Sequence, residues 1–304
     1  MLSRFGRRLV LAGLVLAQGL GLARAPKASA GGFLSPSQYM NTYYSLINSR
    51  NFAAAYAEWT NPPQTYEQFV AGYGDTQSVQ GYFGGLQPGD VNNLVGGVPA
   101  VLYGYRTNGS VAAYSGCYYL LYNGGAGGSA SGLALWSIVT AEFNQLSYVP
   151  TLEGADALIK STRCYARTDA AGNFVSVQGL LGAYYDAINN RDYAAAYSLW
   201  RNPPQTYYQF VAGFWDTTEV AMFYGNYQYS GVANAYEAGR VPVMLFGFHA
   251  DGSVVAFRGC FRLNYDPWRL PDWAIIGANL QPVSTDFGAP DRQVVLDAMA
   301  ASCY

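Results

Sequence analysis

The sequence predicts an α+β protein of two tandem domains. Each domain is expected to carry three N-terminal helices packed on an antiparallel sheet, closed by a short C-terminal helix. Three observations carry that expectation. A stretch occurs twice, as WTNPPQTYEQFVAGYGDT from Trp59 to Thr76 and WRNPPQTYYQFVAGFWDT from Trp200 to Thr217. After each copy the apolar period changes from helical to two. Each copy then carries two cysteines at matching places.

The duplication extends beyond the motif. At an offset of 141, Tyr43–Val79 aligns with Tyr184–Val220 without a gap, with 24 identities in 37 positions. At an offset of 143, Val98–Cys117 aligns with Val241–Cys260. A period near 140 is too long for a solenoid unit, so the repeat is a whole domain. A chain of 304 residues has room for two domains of ordinary size. The boundary is placed near Thr168–Asn173, a polar stretch with a glycine, giving domains over 35–166 and 176–304.

Taken in order, the first helix rests on Met40, Tyr43, Tyr44 and Ile47, repeated as Leu181, Tyr184, Tyr185 and Ile188. A break follows at Asn48–Asn51 and at Asn189–Asp192. The second helix sets Phe52, Ala55, Tyr56 and Trp59 on one face, matched by Tyr193, Ala196, Tyr197 and Trp200. Asn61-Pro62-Pro63 stops it, because proline lacks the amide hydrogen and restricts the residue before it. Thr65 and Gln68, and again Thr206 and Gln209, have the spacing of a capping box that starts the third helix. Strands are expected over Val98–Thr107 and Ser110–Tyr122, joined by an Asn108-Gly109 hairpin turn whose counterpart is Asp251-Gly252. A further strand is expected near Leu133–Leu146 and Trp273–Val283, and closing helices around Gly154–Ser161 and Asp291–Ala301.

Three amphipathic helices and one antiparallel sheet bury their apolar faces on each other as an α+β layer. This element order, with the motif F-V-A-G-[YF]-x-D-T, resembles the nuclear transport factor 2-like superfamily. The resemblance covers nearly all of 35–166 and 176–304. It implies a curved sheet curled around a long helix as a cystatin-like cone. It also implies a cavity of the kind in which superfamily isomerases and dehydratases place a carboxylate base. The C-terminal helix with its cysteine departs from the simplest members.

Four cysteines allow three pairings, and the repeat selects one. Cys117 and Cys260 hold the same strand position, and Cys164 and Cys303 the same terminal position. The expected bridges are Cys117–Cys164 and Cys260–Cys303, each tying a last helix to its sheet. Oxidised cysteines fit an exported protein. Residues 1–30 read as a cleaved secretory signal: Arg4, Arg7 and Arg8, then the apolar run Leu9–Leu22, then Ala28-Ser29-Ala30. Arg7-Arg8 also admits a twin-arginine signal. The run is too short to span a bilayer, for which ~20 residues are needed, so the processed chain is expected to be secreted or periplasmic and not membrane-spanning. The resemblance described above implies an exported, bacterial protein.

Composition narrows the partners. Hydrophobic residues make up 51% and charged residues 12%, which excludes a disordered chain. Removing residues 1–30 leaves 12 basic against 19 acidic residues, a charge near −7. That surface repels phosphate backbones, so no nucleic-acid partner is expected. His249 is the only histidine, which argues against a Ser-His-Asp triad and most zinc chemistry. No metal and no cofactor is expected. The glycine-rich Asn123–Gly132 opens no helix and reads as a connector.

Two sets of candidate site residues remain. Asp75 and Asp216 end the third-helix motif; they read as turn organisers or, in a cavity enzyme of isomerase or dehydratase type, as a general base. Arg50 and Arg191 read as carbonyl caps or ion-pair partners rather than ligand clamps. Tyr43, Tyr56, Trp59, Tyr184, Tyr197 and Trp200 either fill the two cores or line a site for a small apolar or sugar-like ligand. The leading expectation is an exported, tyrosine-rich binding or protein-interaction module without catalytic activity, whose partner is such a ligand or a cell-envelope protein. The alternatives are the cavity enzyme and a structural pseudo-dimer.

Overall fold

The computed structural model describes residues 33–124, 135–166, 168–169, 174, 176–233, 236–268, 271–283 and 289–303. The signal-like segment 1–30, most of the glycine-rich connector and much of the Thr168–Asn173 boundary lie outside the described residues.

The protein is α+β, with two five-stranded antiparallel sheets and helices against each. The first half runs α1 (Pro36–Asn48), α2 (Phe52–Ala57), α3 (Tyr66–Gly72), β1 (Thr76–Phe83), β2 (Gln87–Pro88), β3 (Val95–Arg106), β4 (Val111–Tyr122), β5 (Trp136–Gln145) and α4 (Leu152–Ser161). The second runs α5 (Val177–Asn189), α6 (Tyr193–Ser198), α7 (Tyr207–Ala212), β6 (Thr217–Tyr224), β7 (Gln228–Ala233), β8 (Tyr236–His249), β9 (Val254–Tyr265), β10 (Trp273–Val283) and α8 (Arg292–Ala300). The sheet orders are β1-β3-β4-β5, with β2 on β3, and β10-β9-β8-β6, with β7 on β8.

Local chemistry sets the helix ends. Thr65 and Gln68 form a reciprocal capping box at α3, as Thr206 and Gln209 do at α7. Between the helices, the repeated motif holds the sheet. Ile138 donates to the Glu58 carbonyl and accepts from Thr60, so the chain at Trp59 pairs with β5; Ile275 does the same with Leu199 and Arg201. Arg50 and Arg191 occupy the left-handed region, both at φ 61°, and their guanidiniums donate to carbonyls at Thr76 and Thr218.

Two strands per half were not anticipated from the sequence, β1 and β2 in the first and β6 and β7 in the second. β1 and β6 follow α3 and α7 directly and pair with β3 and β8. Asn48 fixes α1 to β1: its side-chain amide donates to the Val79 carbonyl and accepts from the Val79 amide, each at 2.8 Å. Asn189 holds Val220 identically.

Both bridges, Cys117–Cys164 and Cys260–Cys303, are formed. They place the folded chain in an oxidising, extracytoplasmic setting. Among the described residues no helix is long and apolar enough to cross a membrane.

The cores are not independent. One face of the second sheet packs on α5 through Val220, Met222, Val243 and Leu245. Side chains alternate along a strand, so Ala221, Phe223, Met244 and Phe246 face the other way. They join the core of the first half, together with Ala298 and Met299 of α8. There Tyr122 packs on Phe246 at 5.1 Å and on Phe223 at 5.7 Å, with Trp136 alongside. β6 and the adjoining stretch of β8, Val241–Phe248, are therefore buried on both faces. The loop between β1 and β3 covers the β6 edge of the second sheet: Asn92 donates to the Tyr224 carbonyl at 3.0 Å, and Gly85 lies so close to Asn189 that a Cβ would fall 2.4 Å from its side-chain nitrogen.

Candidate ligand-binding site

The aromatic residues singled out by the repeat divide by depth. Tyr43 is 1% exposed and Tyr184 4%, and both form the cores with Tyr44 and Tyr185. Trp200 is buried and Trp59 half-buried; the Trp59 indole donates to the Tyr43 hydroxyl at 3.2 Å. Tyr56 and Tyr197 sit further out. Each hydroxyl donates to a backbone carbonyl, at Gln64 and Gln205, and so braces the loop before the third helix.

The two aspartates lie at the helix-to-strand turns. The Asp75 carbonyl accepts from the Thr107 amide and the Asp216 carbonyl from Ala250, locking turn to hairpin in each half. Their carboxylates face different partners. Asp75 Oδ2 lies 2.5 Å from Arg106 Nη1 on the surface. Asp216 Oδ1 lies 3.2 Å from His249 Nδ1, within ion-pair distance but without hydrogen-bond geometry.

Asp75 and Arg106 form the rim of a cleft of about 320 Å³ in the first half, between α3 and the sheet. Tyr44, Tyr73, Tyr114 and Gln64 line it. Below it is a chain of phenols. Tyr44 and Tyr118 hydroxyls are 2.5 Å apart, and the Tyr43 hydroxyl accepts from the Trp59 indole. Burial raises the Tyr43, Tyr44, Tyr73 and Tyr118 hydroxyls above the ordinary value of 10. They are neutral at any physiological pH, so each both donates and accepts.

Compared with protein-family models, with curated proteins and with solved structures, the chain matches none. Its own second half is therefore the informative reference. Tyr73 and Tyr114 of the cleft, and Tyr118 beneath it, correspond to Phe214, Phe257 and Phe261. Phe214 and Phe261 are buried in the second core, and Phe257 packs against it. The scaffold is thus satisfied by phenyl rings at these places, and the three hydroxyls of the first half are additions to it. Tyr73 and Phe214 align as recurring aromatic residues, and only the differences between the two copies isolate the three hydroxyls. Tyr39 and Glu58, bonded at 3.0 Å, likewise face Leu180 and Leu199.

The chemistry available at the cleft is recognition: flat rings, neutral hydroxyls, an amide and one ion pair. Among the described residues no group of three or more His, Cys, Asp or Glu is placed to hold a metal.

Proposed function

We propose that the protein is an exported, non-catalytic binding module made of two nuclear transport factor 2-like cones, over 35–166 and 176–304, freed of a signal peptide at 1–30. Its first cone takes a small, neutral, sugar-like ligand in the tyrosine cleft. The observation that carries this reading is the exchange of Phe214, Phe257 and Phe261 for tyrosines on the one half where the cleft lies. A void of this size suits a small ligand. Aromatic faces pack on the C–H face of a sugar while phenol and amide groups pair with its hydroxyls. The surface pairing of Asp75 with Arg106 favours a rim that orients a ligand over a carboxylate poised as a base.

The test is titration of the purified protein with glucose, N-acetylglucosamine and maltose, followed by saturation-transfer NMR and tryptophan fluorescence. At least one should bind saturably. Tyr73→Phe and Tyr114→Phe, which install the residues of the second half, should weaken binding at least fivefold with little change in melting temperature. Failure of all three sugars to bind, or equal binding by both variants, would overturn the reading.

A further inference from the structure

The second half carries its own asymmetry, on the outer face of its sheet. A pocket of about 580 Å³ lies there between β8, β9, β10 and the chain after α8. Arg240, Arg258, Arg262, Asn279, Gln281 and Asp297 supply its polar lining. The register explains why the cations converge. On β9, Arg258 and Arg262 flank Cys260 at a spacing of two, so all three share one face. Arg240 of β8 stands directly opposite Arg262, and Gln281 of β10 opposite Arg258.

Directly opposed like charges destabilise a sheet, and the fold does not need them here. The corresponding residues of the first half are Gly97, Ser115 and Tyr119, and the same disulfide forms beside them. The second half also makes room for the extra charge. Where Tyr119 opposes Thr140, Arg262 opposes Gly277. A Cβ on Gly277 would fall 2.4 Å from a guanidinium nitrogen of Arg262. Arg240 donates to the Cys303 carbonyl. Among the described residues no acceptor is bonded to Arg258 or Arg262. The carboxylate of Asp297 accepts from Gln293 at 2.8 Å on its own helix. Among the described lining residues, Arg258 and Arg262 outnumber the one carboxylate, Asp297, in a chain whose acids outnumber its bases, 19 to 17.

We infer that this pocket binds the phosphate group of a phosphorylated small molecule. Guanidinium forks match the oxygens of a phosphate, and Arg258 and Arg262 are two forks where Asp297 is a single carboxylate. The volume beyond the phosphate, edged by Asn279 and Gln281, accommodates a polar organic part such as a sugar. This site is separate from the tyrosine cleft, and its ligand does not depend on the function proposed there.

Isothermal titration and phosphorus NMR with glucose 6-phosphate and inorganic phosphate test it, against potassium chloride at equal ionic strength. Glucose 6-phosphate should bind saturably and more tightly than inorganic phosphate, and chloride should give no saturable signal. The double variant Arg258→Ser, Arg262→Tyr copies the first half. It should weaken binding at least tenfold with melting temperature within about two degrees, and Tyr73→Phe should leave it unchanged. An Arg262→Lys variant, which keeps the charge and loses the fork, should fall between. Binding no stronger than the chloride control, equal affinity for glucose 6-phosphate in the double variant, or glucose 6-phosphate binding no tighter than inorganic phosphate would overturn the proposal; the last is the signature of an adventitious anion site.

Discussion

Glu219 of the second half accepts a hydrogen bond from the backbone amide of Leu86 in the first, at 3.0 Å, while only 2% exposed. Its other carboxylate oxygen accepts from the Ser37 hydroxyl at 2.7 Å, at the start of α1. A helix N-terminus favours a negative charge, so this buried acid fastens the two halves at a place where its counterpart in the first half, Ser78, is uncharged. Glu219→Ala strands those donors. It should cost about 2–4 kcal/mol, read by chemical denaturation of the full chain.

The same residue sets a pH dependence. Burial is the largest influence on the Glu219 carboxyl and pushes it above its ordinary value of 4.5, against the hydrogen bonds that pull it down. The folded state therefore holds the proton more tightly than the unfolded chain. The resulting stabilisation is complete below about 4.5 and is lost as pH rises through the raised value. Melting temperatures measured from pH 4 to pH 8 should show this loss in the native protein and a flatter profile in Glu219→Gln.

Phe246 is the central contact between the halves, buried against Tyr122. Truncation to alanine should cost about 3–5 kcal/mol. Because Phe246 belongs to the core of the first half while its strand belongs to the second sheet, near-ultraviolet signals from both halves should weaken in a single transition. Two separate transitions in the native protein would show that the shared core does not couple them.

The disulfides close loops of similar span, with separations of 47 and 43 residues. The chain-entropy model gives each about 4 kcal/mol. Replacing either pair by serine should lower stability by a similar amount. Loss of Cys260–Cys303 should also reduce anion binding, because it frees the chain end that walls the arginine pocket.

Asn48 and Asn189 each make two hydrogen bonds to the backbone of β1 or β6. Asn48→Ala should destabilise by about 2–3 kcal/mol, and Asn48→Asp, which keeps the acceptor and loses the donor, by less. Hydrogen exchange at Val79 reports the outcome directly.

Much of the architecture was legible because its causes are local. Thr65 with Gln68 starts a helix through contacts three residues apart, and Asn108-Gly109 turns a hairpin because Gly109 takes φ 82°. The half-exposed β1 was hidden because Thr76–Phe83 mixes polar residues with Gly81 and shows no clean alternation. Buried β6 was hidden for the opposite reason: both its faces are covered, so nothing alternates. The site was hidden because it lies in differences between the copies. Tyr73 and Phe214 look interchangeable as apolar helix-end residues until the cleft above one of them is seen.

The sequence by itself determined the duplicated order of elements, the helix caps and the pairing of the cysteines, since each follows from neighbours in the chain or from comparison of one copy with the other. Only the tertiary structure decided that the two halves share a core, that Glu219 crosses between them, and that Arg240, Arg258 and Arg262 converge on one face. Those facts depend on which side of a strand meets which distant surface, and a one-residue alternation along β6, β8 and β9 fixes that only once the sheet is assembled against its neighbours.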